Sequence, residues 1–175
     1  MTSNLIPTVI LSIALISGLS ACTVEVVDPG TTSFPSPTAG PDDVGGEFTT
    51  GDCDGKDIEI SEDSSTVVLS GRCGVVNVTA TGATVNLESA DSVLVFGLEN
   101  TVIMDDKASA VTLKGDTNSF NAKSVDSIDI QGDGNQVTLN TADEVKLSGD
   151  GNFVVWTAGA ASAEDTGTGN SVVGP

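Results

Sequence analysis

The amino-acid sequence predicts an all-β chain: a parallel β-solenoid of about seven coils with a 17- to 18-residue repeat, preceded by a disordered tether. Three observations point there. First, a phrase recurs from Val93 onward: an apolar pair or an apolar and a polar residue, Gly, two loose positions, Asn, and two positions of which the second is apolar. One copy is Val95-Phe96-Gly97-Leu98-Glu99-Asn100-Thr101-Val102. Second, its asparagines, Asn100, Asn118, Asn135, Asn152 and Asn170, keep a spacing of 17 or 18 residues. A fixed period just under twenty, with alternation of period two inside it, marks stacked coils. Third, aromatic residues are only 3% of the 175. Val, Ile, Leu and Ala must therefore fill the interior, which suits a narrow stack of strands better than a globular core.

Near the start, residues 5–18 form an apolar run. It is short of the ~20 residues of a spanning helix and has the length of a signal-peptide core. It closes on Leu19-Ser20-Ala21-Cys22, which resembles the lipobox of bacterial lipoproteins. That resemblance implies a signal peptide over 1–21, cleavage before Cys22 and a diacylglyceryl group on the Cys22 sulfur. The chain would then be exported and lipid-anchored to the outer face of the cell membrane. Met1-Thr2-Ser3-Asn4 departs from the usual pattern in having no Lys or Arg. Two acyl chains hold a protein stably on a bilayer, at ~0.8 kcal/mol per buried CH₂. Beyond the lipidated Cys, residues 22–51 are rich in Pro, Thr, Ser and Gly without periodicity. They read as an extended linker.

Residues 52–175 are the expected repeat domain. Followed backwards, the repeat takes in two coils that lack the phrase, with Glu62 and Ser65, then Ala80 and Ala83, in the Gly and Asn columns. Four apolar columns emerge. Two precede the turn: Ile58, Val76, Val93, Val111, Ile128, Val145, and Ile60, Val78, Val95, Leu113, Ile130, Leu147. Two follow it: Val67, Val85, Val102, Phe120, Val137, Val154, and Leu69, Leu87, Met104, Ala122, Leu139, Trp156. Spacing of two puts both members of a pair on one strand face. Intervening residues are mostly polar (Glu59, Asn77, Thr112, Asp129, Lys146), with Val68, Leu94, Ile103 and Val155 as apolar exceptions. Cys73, Ala90, Ala108, Val125 and Ala142 form a small-residue column suited to a corner. A sandwich of antiparallel hairpins would also use Gly-Asp-Gly-Asn turns, but it has no reason to keep one register through seven units.

Gly97, Gly115, Gly132 and Gly149, with the five asparagines, read as a structural turn ladder rather than catalytic residues. Coils stack ~4.8 Å apart, so amide can bond to amide. Both residue types also tolerate the left-handed backbone of a sharp corner. The polar final coil, residues 163–172, with Asp165 in an apolar column, suits a solenoid end. Trp156 is expected to plug that end of the core, and Phe48 to cover the other.

With Cys22 given to lipid, Cys53 and Cys73 lie about one coil apart, within reach of a bridge in a stack. An oxidising compartment favours that disulfide. Asp and Glu number 25 against 6 Lys and Arg, a net charge of -19. That balance excludes nucleic acid as a partner and repels anionic lipid headgroups. Asp116, Asp133 and Asp150 follow the turn glycines and stack on one edge; Asp91, Asp126 and Asp143 form another set. Like charges about 5 Å apart repel unless screened or bridged, so Ca²⁺ between coils is conceivable at Asp116, Asp133 and Asp150. The paired-glycine nonapeptide of calcium-binding β-helices is not reproduced, however, and solvated surface charge is the favoured reading. No cofactor is expected.

The Gly-x-x-Asn-x-Val phrase, the paired cysteines near its start and the lipobox together resemble an actinobacterial family of secreted or lipid-anchored proteins. It is known as domain of unknown function 3060, and the likeness covers residues 52–156. The resemblance implies a cell-envelope location and brings no activity, substrate or catalytic residue. The expected function is a non-catalytic, lipid-anchored envelope protein presenting a rigid acidic solenoid as a binding or structural module. Its partners would be the membrane, through the anchor, and an envelope protein or cell-wall polymer. The alternative, an enzyme acting on envelope polysaccharide, rests on fold analogy with pectin-degrading β-helices. The chain has no His or Tyr and a single Arg, Arg72. Its carboxylate pairs are plentiful only because the surface is acidic, so they discriminate nothing.

Overall fold

The computed structural model describes residues 42–43, 48–159 and 161–175. The signal peptide expected over 1–21, Cys22, most of the linker and the side chain of Phe48 lie outside them. The described residues contain strands and turns and no helix. The strands are β1 (Asp42–Asp43), β2 (Phe48–Asp52), β3 (Ile58–Ile60), β4 (Thr66–Val78), β5 (Thr84–Val95) and β6 (Thr101–Leu113). They continue as β7 (Ser119–Ile130), β8 (Gln136–Leu147), β9 (Phe153–Ala158), β10 (Ser162–Asp165) and β11 (Ser171–Val173). One sheet runs β1-β3-β4-β5-β6-β7-β8-β9-β11, with β2 on β4 and β10 on β8, and every pairing is parallel. This is a parallel β-solenoid of about seven coils.

Each long strand wraps two sides of a coil, and its inward residues meet their equivalents one coil on. Val67 pairs with Val85, then Val102, Phe120, Val137 and Val154 in turn. Ile58, Val76, Val93, Val111, Ile128 and Val145 form a second such line. All four apolar columns are buried apart from Ala122, which is partly covered. The small-residue column, Cys73 through Ala142, is buried as well. Burying these branched side chains is the main force holding the stack together, about 1.5–3 kcal/mol for each one fully covered.

The alternation between 17 and 18 residues has a local cause. Register shifts by one residue between Leu69 and Arg72 in β4 and between Met104 and Lys107 in β6, while β7 and β8 run in step throughout. The extra residue is a bulge at the corner, so the inward columns stay aligned on both sides of it. Gly71, in the first bulge, has φ +83°, which a glycine adopts without a Cβ penalty.

Upstream, the sheet begins before the expected boundary at residue 52. Asp42 pairs with Ile58, and Phe48 through Asp52 pair with Thr66 through Ser70. Neither segment is long enough to display a period, so only the partner strand reveals it. At the other end, Trp156 is 7% exposed. Gly174 lies one coil further on, where a Cβ would collide with the indole ring. The last residues cross the face of Trp156 because that position has no side chain.

Candidate functional site

The repeated turn is built from buried amides. The side-chain oxygen of each Asn accepts the backbone N–H of its equivalent one coil earlier. Asn100 takes Ala83 at 2.8 Å, Asn118 takes Asn100 at 2.8 Å, Asn135 takes Asn118 at 2.8 Å, Asn152 takes Asn135 at 2.8 Å and Asn170 takes Asn152 at 2.7 Å. Asn100, Asn118 and Asn170 also donate Nδ2–H to the carbonyls of Ala80, Gly97 and Gly149, at 2.7, 3.0 and 2.8 Å. The Asn135 Nδ2 has no such partner. Asn100, Asn118, Asn135 and Asn152 are almost fully buried, so each bond is made in a medium where leaving it unmade is expensive.

The left-handed residue of the corner is neither the Gly nor the Asn of the phrase, which corrects the sequence expectation. It is the residue just before the Asn: Ser64, Gly82, Glu99, Thr117, Gly134, Gly151 and Gly169, with φ between 56° and 70°. The phrase glycines serve another purpose. A Cβ on Gly115, Gly132 or Gly149 would overlap the carbonyl oxygen of Gly97, Gly115 or Gly132, one coil back. At Gly97 it would overlap the Ala80 carbonyl and also press on Nδ2 of Asn100. Gly and Asn are therefore one device: where the Asn is absent, as at Ala83, the Gly column can carry Ala80.

The acidic column is a second ladder, running the other way. Asp116 Oδ1 accepts the N–H of Asp133, Asp133 Oδ1 that of Asp150, and Asp150 Oδ1 that of Thr168, each at 2.7 Å. Asp63 does the same for Thr81 at 2.7 Å. Each carboxylate thus has a structural partner that requires no bridging ion. No group of three or more metal-ligating side chains comes together among the described residues. In the second acidic set, Asp91 pairs with Arg72 (Nε to Oδ1, 2.8 Å) and Asp126 with Lys107 at 2.7 Å.

Cys53 and Cys73 form a disulfide with Cα atoms 4.9 Å apart, both fully buried. It ties the coils whose turns hold Glu62 and Ser65 in place of Gly and Asn.

On the outer faces, several polar groups of the grooves are already engaged. One groove, about 510 Å³, passes Ser70, Glu88, Asp106 and Lys123. Glu88 accepts the Gly71 N–H at 2.9 Å, and Lys123 faces Asp106 at 3.6 Å. Elsewhere Lys146 lies 2.9 Å from Glu144; its hydrogen bond and charge hold that carboxyl below the usual glutamate range and raise the ammonium in return. Of the apolar exceptions expected outside, Val68, Leu94 and Val155 are half-buried and Ile103 is 38% exposed. More exposed than any of these are Phe96, Leu98 and Phe153, which stand outside the apolar columns. Aligning the loose positions would have flagged Leu98, which stands where other coils hold Asp or Thr.

A parallel β-solenoid stitched by buried Asn amides and surface Asp carboxylates defines the class of protein. Residues 60–116 and 113–169 each match the family described as Protein of unknown function (DUF3060). The chain belongs to that family. The two matches start on equivalent inward residues, Ile60 and Leu113, three coils apart, so the family unit is a block of coils repeated along the stack. No curated protein and no solved structure matches the chain.

Proposed function

We propose that this chain is a non-catalytic, lipid-anchored protein of the cell envelope that presents a rigid acidic β-solenoid as a binding or structural module. One observation carries the non-catalytic part: the polar residues that repeat are used in coil-to-coil bonds. Asn118 binds Asn100 and Gly97, and Asp133 binds Asp150. A catalytic constellation needs unengaged nucleophiles, acids or bases converging on one point, whereas these groups are spread along the rod. The lipobox Leu19-Ser20-Ala21-Cys22 supports the anchor. The Cys53–Cys73 disulfide suits an oxidising compartment. An envelope protein or a cell-wall polymer is the partner such a module would meet.

The anchor is tested by Cys22→Ser expressed in the producing cell. Label from a fatty acid should disappear, and the variant should keep the mass of the uncleaved leader. A variant that still takes up the label would remove the lipoprotein reading. Sugar released from purified envelope polysaccharide by the intact protein would instead favour the enzyme. Calorimetry at low salt should show no heat on adding Ca²⁺; saturable heat lost in Asp133→Asn would reassign the acidic column as a calcium site.

A further inference from the structure

Among the described residues, two of the exposed large apolar side chains share one turn: Phe96, 44% exposed, and Leu98, 46% exposed. Both stand in columns that are polar in every other coil. The Phe96 column otherwise holds Ser61, Thr79, Lys114, Gln131, Ser148 and Thr166. The Leu98 column otherwise holds Asp63, Thr81, Asp116, Asp133, Asp150 and Thr168. Leu98 therefore interrupts the carboxylate ladder, since it has no oxygen to offer the Asp116 amide.

The backbone departs from the pattern at the same place. Glu99 and Thr117 hold φ 56° at a position that is Gly in the four other coils from Gly82 to Gly169. Left-handed backbone at a β-branched residue such as Thr117 is strained, and strain of this kind gathers at binding sites. Scattered exposed hydrophobes need no explanation, but a pair that displaces a structural carboxylate is a different matter.

Charge decides what fits there. The turn edge carries Glu62, Asp63, Glu99, Asp116, Asp133 and Asp150, and its only base is Lys114. The Lys114 Nζ already sits 5.3 Å from the centre of the Phe96 ring, so that ring faces an ammonium group. A net charge of -19 opposes a second copy, an anionic polymer and an anionic lipid surface alike. We infer that this turn is a docking site for a cationic segment of a partner protein. An apolar side chain of that segment seats on Phe96 and Leu98 while its Lys or Arg residues meet Glu99 and Asp116. The inference rests on the solenoid being a presenting module and names the chemistry of what it presents to.

The test uses the full chain in non-ionic detergent, titrated with a short peptide alternating Lys with Leu and with its Lys–Ser counterpart of equal charge. The Lys–Leu peptide should bind about tenfold tighter, the worth of burying one Leu-sized side chain. Leu98→Asp restores the ladder residue of the column and adds a negative charge, so simple attraction would strengthen binding; docking predicts about tenfold weakening. Phe96→Ser, the polar choice of its own column, should weaken binding in the same direction and serves if the first variant misfolds. Equal binding of the two peptides, or undiminished binding to both variants, would overturn the proposal. So would a wild-type dimer that Leu98→Asp dissociates, which would make a second copy the occupant. None of these readouts involves the anchor, so a negative Cys22→Ser result and a failure here remain separate outcomes.

Discussion

Residues 53–83 and residues 97–170 stack backbone on backbone in the same parallel register, yet their turns are secured by different chemistry. In the first region there is no Asn at the corner. A buried disulfide joins Cys53 to Cys73, and exposed carboxylates accept amides of the following coil: Asp54 from Arg72 at 2.9 Å, Asp57 from Val75 at 2.7 Å and Asp63 from Thr81 at 2.7 Å. The second region keeps such exposed carboxylate bonds at Asp116, Asp133 and Asp150 and adds to them neutral amides buried in the corner. One region depends on a covalent bond that a reductant can open. The other depends on buried hydrogen bonds and close packing at the corner. Strand pairing is common to both, so the turn is the part that each region could vary.

The sharpest way to break this comparison is to remove the disulfide. Converting both Cys53 and Cys73 to Ser, 20 residues apart, should cost about 3 kcal/mol. Amide exchange should accelerate over β3 and β4 and stay slow over β7 and β8; equal acceleration in both would mean the regions are not separate units. Next in size, Gly132→Ala forces a Cβ into the Gly115 carbonyl and should cost about 2–3 kcal/mol by denaturant unfolding, with exchange affected around β7 and β8 instead. Asn118→Ala removes an acceptor and a donor, leaving the Asn100 amide and the Gly97 carbonyl buried without partners, for about 2 kcal/mol. Asn135→Ala removes one bond and should cost about 1 kcal/mol in the same assay, so a reversed order would sink the account of the ladder. The smallest effect has the opposite sign: Thr117→Gly should raise the melting point, relieving about 1 kcal/mol of left-handed strain.

The inward columns were legible because a side chain that must be buried in every coil repeats in every coil. Val67 to Val154 and Ile58 to Val145 could be aligned without coordinates, and the pairing of Cys53 with Cys73 followed from their one-coil spacing. The corner was not legible in the same way. The phrase draws attention to Gly and Asn, but the residue that turns left-handed is the loose one between them, and Glu99 and Thr117 take that conformation without any glycine to announce it. The true constraint on Gly115 and Gly132 is a carbonyl one coil away in space, which no local pattern encodes. Phe96 and Leu98 are hidden for a related reason: each is a single apolar residue in an otherwise polar column, with no repeat to set it apart from chance. The strands β1 and β2 were missed because they are too short to carry a period of their own.

The direction of the amide ladder has a consequence for how the protein is made. From Asn100 to Asn170, every side-chain oxygen accepts from the coil that precedes it in the chain. A polypeptide emerging N-terminus first can therefore close each corner as soon as it appears, against a neighbour that is already in place. Cys53–Cys73 stands at the head of that sequence as a fixed starting block, and the asparagines behave as the teeth of a zip fastener drawn in one direction.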